Sequence, residues 1–118
     1  MVYSSPAPNV GIANWVWNGI DWEESPTETA DNSDVTSVDS STESVILLAA
    51  NSSRKMAMIF NDSTQNLFIK FGTTASTTNF TVKLSAGSYF EFPFPIYRGR
   101  VDGIWTSANG AARVTELT

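Results

Sequence analysis

RKMAMIFNDSTQNLFIKF, Arg54 to Phe71, is the stretch that decides the fold. Met56, Met58 and Phe60 alternate with Lys55, Ala57 and Ile59; after the polar turn DSTQ, Leu67, Ile69 and Phe71 fall on one face of a second run. Side chains two residues apart share a face of a strand, so the pattern predicts two antiparallel, half-buried strands. The neighbouring sequence follows the same rule. ESVILLAA ends at NSS, and the loop GTTASTT leads into NFTVKL, with Phe80, Val82 and Leu84 inward and Thr81 and Lys83 outward. The turn SAGS leads to YFEF, where Phe90 and Phe92 oppose Tyr89 and Glu91. PFPIYRGRVDGIWTS reads as a strand pair or a bent strand broken at Gly99 and Gly103, and NGAARVTEL closes the domain. Turn signals at this spacing belong to all-β sandwiches and barrels, and no window carries sustained helical periodicity. The expected fold is an antiparallel β-sandwich, jelly-roll or immunoglobulin-like, with an extended N-terminal arm.

The arm is chemically different from the body. Residues 1–44 hold eight acids and no Lys or Arg, whereas residues 45–118 hold all seven basic residues and four acids, which is −8 against +3. EESPTETADNSDVTSVDSS, residues 23–41, has a linker's composition, although a first strand beginning near Val35 or Val38 is compatible with it. The expected division is an arm and acidic linker over 1–41 and a sandwich over 42–118. The overall charge of −5 opposes phosphate, so nucleic acid is not an expected partner.

Ahead of the linker lies NWVWNGIDW, residues 14–22. Asn18-Gly19 favours a two-residue type I′ turn, which would pair Trp17 with Ile20, Val16 with Asp21 and Trp15 with Trp22. Trp15, Trp17, Ile20 and Trp22 would then share one face. A ribbon this short is marginal alone. Burying three Trp removes roughly 450–750 Å² from water, or about 11–19 kcal/mol, while ordering some ten residues costs about 10–20 kcal/mol. The two nearly cancel, so the segment is expected to order where another chain supplies the opposing wall. A body of about 75 residues buries only ~60% of its unfolded surface and also gains from association.

The composition narrows the chemistry. With no Cys and no His, disulfides, thiolate metal sites, imidazole ligands and Ser-His-Asp or Cys-His catalysis are excluded. Glu91 and Glu116, the carboxylates placed on strands, read as solvent-side members of an alternating pattern, and a catalytic pair is not expected. The acids from Asp31 to Glu43 lack the spacing of a calcium loop. No catalytic residue, metal or cofactor is therefore expected. Exposed Tyr89, Phe94, Tyr97 and Trp105 would make a sugar-stacking platform, although aromatics in a domain this small are mostly core. Phe94, between Pro93 and Pro95, is a candidate contact knob or a sheet-to-sheet crossover. Glycosylation patterns at Asn51, Asn61 and Asn79 read as chance, and Lys55, Lys70 and Lys83 as edge guards or partners of the acidic arm. MVYSSPAPNVG lacks the regions of a secretory signal, and the longest apolar run, Val45 to Ala50, is far short of the roughly 20 residues of a membrane span. Assembly in a cytoplasm without membrane contact is expected.

SVILLAANSSRKMAMIFNDSTQNLFIKFGTTASTTNFTVKLSAGSYFEFP resembles small β-domains encoded by tailed bacteriophages. The likeness lies in Leu47 to Asn51, Arg54-Lys55, Ile59 to Ser63, Leu67 to Gly72, Val82 to Gly87 and Glu91 to Pro93, and continues from Gly103 to Leu117. It covers about two-thirds of the chain and leaves out the first 44 residues. It implies a non-enzymatic virion component, foremost a capsid decoration or cement protein, with a neck or tail connector or a glycan-binding or receptor-binding tail module as alternatives. The implied partners are the major capsid protein and further copies of the chain, a trimer being favoured over a dimer. Trp15, Trp17, Ile20, Trp22 and Phe94 are the expected interface residues.

Overall fold

The computed structural model describes residues 29–118 throughout and, for the backbone alone, Trp15–Trp17 and Trp22–Glu24. These two short segments are strands β1 and β2, paired antiparallel in their own ribbon. Their register joins Trp17 to Trp22, Val16 to Glu23 and Trp15 to Glu24. Trp22 thus stands opposite Trp17, not opposite Trp15; the turn expected at Asn18-Gly19 lies outside the described residues. Ile20 lies outside the described residues.

The other strands among the described residues are β3 (Ser33–Asp39), β4 (Val45–Leu48), β5 (Met56–Asp62), β6 (Leu67–Phe71), β7 (Val82–Leu84), β8 (Tyr89–Glu91), β9 (Val101–Trp105) and β10 (Ala111–Leu117). Sheet I has the order β3-β10-β5-β8 and sheet II the order β4-β9-β6-β7, every pairing antiparallel. Each connection from β3 onward crosses between the sheets, except the β6–β7 hairpin. Numbered from β3, the orders are 1-8-3-6 and 2-7-4-5, the double Greek key of a jelly roll. The sandwich begins at Ser33, ahead of the boundary expected at residue 42. The segment from 33 to 39 is acidic enough to read as linker, but β10 supplies a full row of backbone partners for it.

Alternation explains the core. Ala57 and Ile59 of β5 and Ala112 and Val114 of β10 face Leu67 and Ile69 of β6 and Val101 and Trp105 of β9 in one buried cluster. Leu47, Leu48, Leu84 and Phe92 complete it. Gly103, expected to break its strand, stands in the middle of β9: a Cβ there would lie 2.7 Å from Leu47 Cδ1 and 3.1 Å from Leu67 Cδ1. Those two leucines fill the space that the missing side chain leaves. Gly110 has a different reason, with φ of +77° and room for no Cβ beside the Asp62 carbonyl at 2.3 Å.

Phe80 departs from its expected inward position. It stands edge-on to Phe68, ring centroids 4.9 Å apart, and Phe68 alternates with the core residues Leu67 and Ile69. The polar loop after β6 therefore folds over the outer face of sheet II. Its Ala75 is buried there, and Phe80 helps cover Phe68.

Candidate interaction surface

Among the described residues three polar side chains are fully buried: Arg54, Asn61 and Asp102. The Arg54 guanidinium donates to Glu116 Oε2 at 2.7 Å, to the carbonyls of Tyr97 and Gly99 at 2.9 and 3.0 Å, and to the Ala49 carbonyl at 2.6 Å. It lies 5.8 Å from the centre of the Phe92 ring. Arg98 donates to the Arg54 carbonyl, and Asn51 to Glu116 Oε1. One planar cation thereby ties the β4–β5 loop to the β8–β9 loop. A fork of five N–H groups suits that task as a lysine does not. Glu116, expected in solvent, is only 18% exposed because Arg54 holds it.

Asn61 works in the same way. Its amide donates to the carbonyls of Gln65, Leu84 and Ser85, and its oxygen accepts from Ser63 Oγ at 2.7 Å and Trp105 Nε1 at 3.3 Å. Burial and these bonds remove Asn61 from any glycosylation reading. Asp102 accepts two bonds from Arg100, at 2.7 and 3.1 Å, and one each from Ser44 Oγ and the Thr74 amide, both 3.2 Å. Ser44 Oγ also accepts from the Ala75 amide, so this group pins the loop over sheet II. The hydrogen bond to Asp102 raises the Arg100 pKa above its ordinary value. Every one of these side chains is committed to holding loops, and a buried polar group so satisfied is structural.

The expected pairs and platforms come apart. Glu91 is exposed opposite Met58 on the outer face of sheet I, whereas Glu116 pairs with Ala57 and turns inward to Arg54. Of the four aromatics proposed to stack on sugars, Trp105 is core and Tyr97 stacks on Phe71 at 4.9 Å with rings 5° apart. Tyr89 and Phe94 remain, 65% and 75% exposed. Among the described residues no group of three or more His, Cys, Asp or Glu is placed to hold a metal ion.

Among the described residues, the exposed large apolar side chains are Val35, Phe60 and Tyr89 on sheet I, Phe94 on the β8–β9 loop, and Ile46 and Phe80 on the side of sheet II. Register places Val35, Thr115, Met58 and Glu91 in one row across its outer face, and Ser37, Arg113, Phe60 and Tyr89 in the next. An open depression of about 280 Å³ lies between Met58, Phe60, Tyr89, Arg113 and Thr115. Phe94 is exposed on the β8–β9 loop, the connection that crosses from sheet I to sheet II. Sequence reasoning singled out Tyr89 and Phe94 and missed Phe60 and Val35. The signal was in MAMIF, which is apolar at successive positions and so offers a hydrophobic surface on both faces of β5. The side chains of Trp15, Trp17 and Trp22 lie outside the described residues.

Comparison with protein-family models, with curated proteins and with solved structures finds no match for this chain.

Proposed function

We propose that the chain is a structural virion protein of a tailed bacteriophage, a capsid decoration protein that stabilises the head through contacts between subunits. The observation that carries this reading is the jelly-roll strand order with Val35, Phe60 and Tyr89 exposed on the outer face of sheet I. Jelly rolls serve viral capsids as well as lectins and cupins. An exposed apolar face with aromatic members is what a partner's surface covers.

The motifs that carry the phage resemblance also have structural work here. Leu47 and Leu48 enter the core, Arg54 ties two loops, and Asn61 with Ser63 closes the turn after β5. Gly72 and Gly87 take positive φ. In this reading Phe94 and the outer face of sheet I meet the major capsid protein or a second copy, and the tryptophan ribbon reaches a neighbour.

Immunogold electron microscopy with antibody against the chain tests the location. Gold distributed over the heads of tailed-phage particles is the expected result. Gold confined to the neck or tail would replace the decoration role with a connector or receptor-binding one, and unlabelled particles would end the virion reading.

A further inference from the structure

Four strands form the edges of the two sheets, and three of them are blunted. β7 and β8 have three residues each, with Lys83 in the middle of β7, and β4 has four residues and an irregular register. Short length, lysine and bulges are the usual means of closing an edge. β3 has seven residues, without Lys, Pro or register shift, and is exposed along nearly all its length.

The unused hydrogen-bonding groups of β3 can be named. Asn32 and Thr118 exchange both backbone bonds, and Ser40 donates to the Gly110 carbonyl. In an antiparallel ladder such pairs alternate, so residues 34, 36 and 38 also bond to β10. Ser33, Val35, Ser37 and Asp39 turn their N–H and C=O groups away from the sheet. Among the described residues nothing pairs with them.

The chemistry of this edge selects its occupant. Asp34 and Asp39 are exposed, Asp31 precedes them, and no basic residue occurs before Arg54. A second copy would bring the same acids to the same edge, and like charges across a strand pair destabilise it. Val35, 63% exposed, borders the apolar outer face of sheet I, so an added strand would extend that face. We infer that β3 is a strand-addition site for an extended, basic segment of a partner protein, at least seven residues long. Its backbone pairs with Ser33, Val35, Ser37 and Asp39, its cations stand opposite Asp34 and Asp39, and its apolar side chains lie beside Val35. This inference goes beyond the virion role and holds wherever in a particle the chain sits.

The probe is a capped peptide, Lys-Thr-Val-Thr-Val-Lys-Thr, titrated into the labelled protein and followed by amide NMR and hydrogen exchange. Saturable binding should protect the amides of residues 33, 35, 37 and 39, while 34, 36 and 38 keep the protection β10 already gives them. The peptide with Glu in place of both Lys should bind roughly tenfold more weakly or not at all. Val35→Pro removes an outward N–H, a change an edge strand tolerates, and should abolish binding with the fold intact. Asp34→Lys combined with Asp39→Lys should reverse the peptide preference, which keeps the test decisive should the proline variant unfold. Equal binding of the two peptides, protection elsewhere, or a homodimer in sedimentation that Val35→Pro dissolves would overturn the proposal; the last would assign the edge to a second copy.

Discussion

Arg54 shows how much of this small sandwich depends on a few polar side chains. Its partners are a carboxylate on β10 and three carbonyls on two loops, and its removal takes a donor from each. Arg54→Met should therefore cost about 3–5 kcal/mol in chemical denaturation, the usual consequence of stranding a buried charge. Pairing that change with Glu116→Leu should recover a large part of the loss, because neither charge is then left alone. Gly103→Ala should cost about 1–3 kcal/mol, since Leu47 and Leu67 must move aside in a packed core. Ser44→Ala should act locally: the Ala75 amide loses its acceptor, and hydrogen exchange at Thr74 and Ala75 should quicken while global stability changes little. None of these roles was readable beforehand. Arg54 stands outside the alternating run, and a buried arginine has the same letter as a solvated one.

At the level of elements, alternation in β5, β6 and β10 was legible because two-residue periodicity is a local property. Pairing was not. β3 joins β10 across most of the chain, so no neighbouring residues report the partnership. Composition misled for the same reason, giving an acidic strand the look of a linker. Gly103 misled too, since a glycine that breaks a strand and one that admits a leucine are identical in sequence. The exposed residues of β5 and β8 were visible as apolar positions, but their role as one surface needed the register. For the β1–β2 ribbon, replacing Trp15, Trp17 and Trp22 together with Ala should leave the jelly roll folded by circular dichroism and abolish assembly in sedimentation. Unchanged assembly would remove the ribbon from the interface and leave sheet I as the remaining candidate.

For the whole molecule, the two sheets account for self-sufficiency of the core, and the proposed association rests on the surface. A protein with Tyr89, Phe94, Val35 and Phe60 exposed spends its apolar side chains where only a neighbour can cover them. Reading the fold class needed no partner; reading a station in a virion rests on the phage likeness joined to that surface. The most direct measurement is cryo-electron microscopy of tailed-phage heads that carry the chain. The jelly roll should sit outside the shell with Phe94 and the outer face of sheet I against density from another chain. Those side chains facing open solvent, on a sandwich touching its neighbours elsewhere, would contradict the account.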